Sequence, residues 1–235
     1  TAYLYHENGQ KHYEINFKDS KVDGKSTTWY ENGQIALEID FQDGMEDGKM
    51  IKWYENGQKE FEITYKDGKL DGKGTAWHEN GQIAGEGNFK DDNKHGKHTT
   101  WHENGQKGSE TNYKDGKKDG KVTVWYENGQ IVMEENYKDG KKDGKRTSWN
   151  ENGQREGEEK FKDCKLIDET AYLYHENGQK HYEINFKDSK FDGKSTMWHE
   201  NGQIALEIDY KDGMEDGKMT KWYENGQKEF EVTYK

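Results

Sequence analysis

The chain has 235 residues, 36 basic and 48 acidic, for a formal net charge of −12; 28% are hydrophobic and 36% charged. That composition lies near the disordered class, but 8 Trp, 15 Tyr and 8 Phe with no Pro oppose disorder. No run approaches the roughly 20 apolar residues of a membrane-spanning helix, one cysteine (Cys164) excludes an intrachain disulfide framework, and an acidic chain with only Arg146 and Arg155 as arginines is a poor match for nucleic acid or anionic lipid.

From the first residues the chain is periodic. Glu-Asn-Gly-Gln occurs ten times, starting at Glu7, Glu31, Glu55, Glu79, Glu103, Glu127, Glu151, Glu176, Glu200 and Glu224. Two residues before each copy stands an aromatic: Trp29, Trp53, Trp77, Trp101, Trp125, Trp149, Trp198 and Trp222, with Tyr5 and Tyr174 in the other two. A second Glu follows seven residues after the first, from Glu14 to Glu231, and Phe or Tyr three further on, from Phe17 to Tyr234. A fixed period of this kind indicates a repeat architecture rather than one central core.

The unit over Lys25–Phe41 shows what each repeat builds. Asn32-Gly33, flanked by alternating strand formers, predicts a two-residue type I′ hairpin. That pairs Trp29 with Ala36, Thr28 with Leu37, Thr27 with Glu38 and Lys25 with Asp40. One face then carries Tyr30, Ile35, Leu37, Ile39 and Phe41, and the other Trp29, Thr27, Glu38, Lys25 and Asp40. Asp43–Gly48 reads as a longer turn that sets Gly48 opposite Phe41 and Asp40 opposite Lys49. The two registers agree, so the expected fold is all-β: an elongated, twisted, single-layer antiparallel meander of about twenty strands.

Further along, the apolar slots become poor: Gly85, Gly87, Ser109, Thr111, Glu135, Gly157 and Glu159. A degenerate seam at 162–170 replaces the usual glycines with Cys164 and Asp168. Residues 170–235 then repeat 1–66 with seven differences. The expected organisation is one continuous array of about ten hairpins over 1–235. The chain starts and stops in mid-unit, which reads as a piece of a longer array.

The stretch Asp115 to Gln130, Asp-Gly-Lys-Lys-Asp-Gly-Lys-Val-Thr-Val-Trp-Tyr-Glu-Asn-Gly-Gln, resembles the bacterial variant of the MORN repeat. The resemblance covers essentially the whole chain and weakens only at 164–170. It implies an elongated β-meander with no catalytic residues. It also implies kinship with bacterial surface or secreted proteins, some resembling antitoxins, and with scaffolds that sometimes contact lipid.

Candidate chemistry is weighed against plain structure. The ten-Glu ladder could bind cations, but Thr27 and Lys25 beside Glu38 favour pairing along the sheet. Equivalent carboxylates give no acid–base pair, which needs two different environments. Asp-Gly loops lack the ligand density of calcium loops, with Asp43–Asp47 the residual candidate. His95, His98 and His102 are close in sequence, and His98 and His102 share a face by alternation. Cys164 has Lys162 and Lys165 nearby, which could lower its thiol pKa; Ser109 lies on a strand. No cofactor or metal is expected.

The expected interaction surface is the Trp column with Leu37, Phe41, Phe61, Leu206, Tyr210 and Phe230 from the apolar ends. The expected function is a non-enzymatic scaffold for protein–protein interaction or head-to-tail self-assembly. Its partners would be another protein or copies of itself, as a homo-oligomer or filament, without nucleic acid or membrane insertion. The alternatives are an antitoxin or immunity protein and a cell-surface carbohydrate or cation binder. A bacterial, extracellular or cell-surface setting is favoured over the cytoplasm.

Overall fold

Two-residue side-chain periodicity and frequent glycine rule out helix, and the chain folds accordingly. The structure, a computed structural model, describes residues 1–235 and contains strands and turns without a helix. It divides into two units, Thr1–Gly120 and Lys121–Lys235.

In the first unit the strands Ala2–Tyr5, Lys11–Ile15, Gly24–Trp29, Ile35–Gln42, Met45–Trp53, Lys59–Lys66, Lys69–Trp77, Ile83–Lys90, Asn93–Trp101 and Lys107–Lys114 form an antiparallel meander. Phe17–Lys18 and Lys21–Val22 make a small side hairpin between the second and third of these. In the second unit, Ile131–Lys138, Lys141–Trp149, Arg155–Lys162, Lys165–Tyr174, Lys180–Lys187, Gly193–Trp198, Ile204–Lys211, Met214–Trp222 and Lys228–Tyr234 pair in the same way. Each unit is a single layer, so both faces stay partly wet. The only buried hydrophobic side chains are Val122 and Ala205, and no side chain is fully buried.

The predicted register holds through the body of the hairpins and fails at both tips. Lys25↔Asp40, Ser26↔Ile39, Thr27↔Glu38 and Thr28↔Leu37 are as expected, but Trp29 pairs with Ile35, which leaves Ala36 as an unpaired bulge residue. The Glu-Asn-Gly-Gln tip is not a type I′ turn. The Tyr30 N–H donates to the Gln34 carbonyl (2.9 Å), closing a three-residue loop in which only Gly33 is left-handed (φ 83°). Asn32 Oδ1 accepts the N–H of Gln34 two residues on (2.9 Å). That local side-chain bond stabilises the longer loop, and the bulge restores the register it would have shifted.

The type I′ turns lie at the opposite tips. Asp43 and Gly44 both have positive φ (52° and 92°), as this turn requires, and Gln42 pairs directly with Met45. The expected long loop is therefore strand from Met45 onward, and Phe41 faces Glu46 instead of Gly48. Two extra residues, Asp47 and Gly48, absorb the offset, after which Ile39↔Met50 and Leu37↔Lys52 match the expectation. Gly48 (φ 116°) admits no side chain: an added Cβ would lie 2.9 Å from Asp40 Cβ. Asp40 Oδ2 accepts the Lys49 N–H there (3.1 Å).

Candidate functional site

The face that carries the Trp column is partly covered by its own neighbours. All eight tryptophans are half-buried. Lys11 Nζ lies 5.5 Å from the Trp29 ring, Lys59 5.5 Å from Trp77 and Lys180 5.4 Å from Trp198, placing cations over ring faces. The Glu ladder beside it is neutralised. Glu38 pairs with Lys25 (2.8 Å), Glu62 with Lys49 and Lys59 (2.6 and 2.5 Å), and Glu110 with Lys97 and Lys107 (2.7 and 3.1 Å). These contacts hold the Glu62 and Glu110 carboxyls below their ordinary value, with the Lys49 and Lys97 hydrogen bonds the largest causes. The threonines that the sequence places beside the Glu ladder prove to be buried: Thr27 and Thr99 in the first unit, opposite Glu38 and Glu110, and Thr123, Thr147 and Thr220 in the second, the last two opposite Glu158 and Glu231. Threonine is small enough for the crowded centre of the sheet and favours strand geometry.

Successive Glu-Asn-Gly-Gln tips are stitched together by side chains. Tyr30 and Tyr54 hydroxyls donate to the carbonyls of Trp53 and Trp77 (2.5 and 2.8 Å), and the rings of His6 and His78 bond Trp29 and Trp101 carbonyls (2.9 Å each). In the second unit, Tyr126, His175 and His199 do the same for Trp149, Trp198 and Trp222. This is why the position accepts Tyr or His: each reaches one turn further with a polar tip. The tip asparagines add a parallel row, as Asn32 Nδ2 donates to the Glu55 carbonyl (3.3 Å) and Asn177 Nδ2 to that of Glu200 (2.9 Å).

The opposite face varies along the chain. Leu37, Phe41, Phe61, Leu206 and Tyr210 are half-buried on it, while Phe230 is 42% exposed. Where the apolar slots are poor, other devices fill the space. His98 stands edge-on to Phe89 (5.4 Å) and Tyr113 (4.9 Å), and its ring bonds the Asn88 carbonyl (2.8 Å). Gly87 is the hollow that admits it. Burial keeps the His98 imidazole below its ordinary value of 6.5. In the second unit, Glu135 is 3% exposed. It accepts a hydrogen bond from the Tyr137 hydroxyl (2.7 Å), and its other oxygen lies 2.6 Å from Lys142 Nζ, an ion pair outside hydrogen-bond angles. Arg146 completes the cluster by pairing with Glu159. Burial, then the Glu135 bond, pushes the Tyr137 phenol up to about 12. A buried ion-pair cluster costs desolvation and adds little net stability, but it replaces the missing apolar core there.

The candidate metal trio does not converge. His95 is exposed, His98 is engaged as above, and no group of three His, Cys, Asp or Glu side chains is arranged to hold a metal. Cys164 is exposed at a hairpin tip, where its positive φ (68°) occupies a glycine position.

One concave feature stands out in the second unit. A groove of about 240 Å³ on the apolar face is lined by Tyr182, Phe191, Met197, Leu206, Ile208 and Tyr210, among others. Phe191 is 41% exposed and stacks against Phe186 (4.9 Å) and Tyr210 (5.2 Å). Ser195 Oγ borders the groove, buried and without a hydrogen-bond partner. The two duplicated blocks differ at Val22/Phe191, Thr28/Met197, Tyr30/His199, Phe41/Tyr210, Gln42/Lys211, Ile51/Thr220 and Ile63/Val232. Three of these seven differences, at Phe191, Met197 and Tyr210, line this groove.

A model of the MORN repeat variant matches ten tandem stretches: 1–19, 22–43, 46–67, 70–91, 94–115, 118–139, 142–163, 170–188, 191–212 and 215–235. The chain belongs to the MORN repeat variant family. MORN repeats are generally protein- or membrane-binding modules, and the repeat type is non-catalytic. No curated protein matches the chain. Among solved structures it is similar to TcdB2-TccC3 (9% identity, TM-score 0.26, 99% of this chain) and to a Tc holotoxin pore of Photorhabdus luminescens (8% identity, TM-score 0.27, 99% of this chain). The chain spans 16% of each of those chains, and nothing about fold or function follows from likeness at that level.

Proposed function

We propose that this MORN repeat variant is a non-catalytic scaffold that binds a protein partner through the apolar face of residues 182–210. The observation that carries the reading is the groove whose walls hold three of the seven differences between otherwise matching blocks. Val22, Thr28 and Phe41 serve the first block. Phe191, Met197 and Tyr210 put larger or more polar-tipped side chains at the same positions, on a face that elsewhere only needs filling. Met and aromatic residues are the types that anchor interfaces. The occupant is a large apolar side chain on a partner of net basic charge, since the chain itself carries −12. The Trp column contributes less than sequence suggests, because lysines cover Trp29, Trp77 and Trp198. Self-assembly is the second use of the same face, and no feature of the fold favours the antitoxin, carbohydrate or cation alternatives over it.

The test is selection of random displayed peptides on the full chain, followed by binding to the triple variant Phe191→Val, Met197→Thr, Tyr210→Phe. That variant adopts the first block's residues at these positions, and the first block forms the equivalent pairings, Phe17↔Val22 for Phe186↔Phe191 and Tyr13↔Thr28 for Tyr182↔Met197. Selected peptides should carry a large apolar anchor flanked by Lys or Arg and lose about tenfold in affinity on the variant, about 1.4 kcal/mol. Equal binding to both proteins would refute the reading. Sedimentation of the wild type at rising concentration separates the second use: a mass increase abolished by the triple variant identifies another copy as the occupant.

A further inference from the structure

Ten Asn-Gly pairs are ten potential sites of spontaneous deamidation, because the glycine nitrogen has no side chain to hinder its attack on the asparagine amide. The fold treats them unequally. In the first unit Asn8, Asn32, Asn56 and Asn80 donate through Nδ2 to the carbonyls of Glu31, Glu55, Glu79 and Glu103 at 2.9–3.3 Å. In the second unit Asn128, Asn177 and Asn201 do the same to Glu151, Glu200 and Glu224 at 2.8–2.9 Å. Asn32, Asn128, Asn177 and Asn201 also fasten Oδ1 to the N–H of the Gln two residues on. An amide tied at both ends cannot swing its Cγ onto the next backbone nitrogen without breaking both bonds.

Asn152 has neither tie. Asn150 stands where other repeats place Tyr or His, and its Oδ1 takes the N–H of Gln154 (3.0 Å) and that of Asn152 itself (3.1 Å). Its Nδ2 turns to Gln154 Oε1 (3.0 Å). The following unit begins after 25 residues instead of 24, and the contact across to it is made by Gln154 Nε2 to the Gly178 carbonyl (2.8 Å). The Asn152 side chain is left exposed at the rim of an open cleft of about 400 Å³, beside Gln154, Glu156 and Glu176.

We propose that Asn152 is a specific deamidation site, created by Asn150 and the one-residue slip at the seam. The Gly153 nitrogen bonds to Asn152 Cγ and gives up its proton, ammonia leaves with the former side-chain nitrogen, and a succinimide results. Water then opens the ring at either carbonyl, giving aspartate or isoaspartate at 152. The net change is asparagine plus water to an acid plus ammonia, so no oxidant or enzyme is required. The product places a new carboxylate in a cleft already bordered by Glu156 and Glu176, and the isoaspartate form lengthens the loop backbone by one methylene.

Incubation of the folded chain in mildly alkaline buffer, with trypsin digestion and mass spectrometry, reads this directly. The peptide 147–155 carries Asn152, while 122–138 and 166–180 carry Asn128 and Asn177 as internal controls. Fragment ions distinguish Asn150 from Asn152. Asn152 should deamidate about tenfold faster than either control, the ratio expected when one or two net hydrogen bonds are missing. Unfolding in urea should bring the controls up to its rate. Asn150→Tyr, which returns the Gln154 N–H to Asn152, should slow it toward theirs. Equal rates at all three sites in the folded chain would overturn the proposal, and a rate unchanged by Asn150→Tyr would overturn the cause assigned to it.

Discussion

Gly87→Ala is the substitution that isolates how the poor stretch of the apolar face is packed. Gly87 is a strand residue without positive φ, so alanine there carries no backbone penalty. Alanine would ordinarily gain about 0.5–1 kcal/mol over glycine inside a strand. Here the added Cβ would lie 2.1 Å from His98 Nδ1 and 2.3 Å from Cε1. That ring has little room to yield, since Phe89 and Tyr113 flank it edge-on and the Asn88 carbonyl holds its far nitrogen. The clash should destabilise by about 1–3 kcal/mol, the range for overpacking. Gly85→Ala is the matched control, because its Cβ would meet nothing closer than 3.7 Å, and should be neutral or stabilising. Hydrogen exchange over residues 83–101 is the assay of choice, because a repeat array opens locally and a single global transition can hide the change. If Gly87→Ala protected these amides as well as Gly85→Ala does, the account of His98 as the filler of this gap would be wrong. Expulsion of the ring should also return the His98 imidazole, held low by burial, to its ordinary range in an NMR titration.

Two pH responses follow from the same geometry. Hydrogen bonds from Lys218 and then Lys228 hold the Glu231 carboxyl at about 2, and Glu62 and Glu110 are lowered likewise. Folded carboxyls that bind protons less tightly than unfolded ones stabilise fully above the ordinary 4.5 and lose that effect as pH falls through the folded values. Circular dichroism should show stability declining from pH 4.5 toward 2, with Lys49→Met flattening the part due to Glu62; an acid profile unchanged in that variant contradicts the ladder as described. Tyr137 is shifted the other way, from 10.0 up to about 12. Its stabilisation is present below pH 10 and disappears as pH rises through about 12, so Tyr137→Phe should remove a phenol from the late end of the tyrosinate absorbance titration.

Much of this fold was legible because the same twenty-four positions are written ten times. Repetition fixed which residues share a face: Leu37 opposite Thr28 and Glu38 opposite Thr27 are direct consequences of the period of two. The turn types were not legible. Asn-Gly is the usual mark of a type I′ hairpin, yet the side chain of Asn32 competes for a backbone N–H and opens the loop by one residue. The type I′ turn went instead to Asp43-Gly44, inside what read as a long loop. The candidate site was half legible. Aromatic columns and the uneven apolar face are visible in the sequence, but the lysines over Trp29 and Trp77 act across neighbouring strands. The groove at Phe191 likewise joins residues from four strands.

By itself, then, the sequence determined an all-β repeat array without helix or disulfide, because alternation, glycine frequency and a fixed period leave backbone pairing little choice. Tertiary structure decided which of the repeated residues remain available. The ladder glutamates are used up by lysines and the Tyr, His and Asn tips by carbonyls of the next turn, since hairpin tips 24 residues apart are neighbours along one edge of the meander. Where the repeats depart from one another, the outcome changes: Phe191, Met197 and Tyr210 line an open groove, and Asn152 at the seam stays exposed at the rim of a cleft.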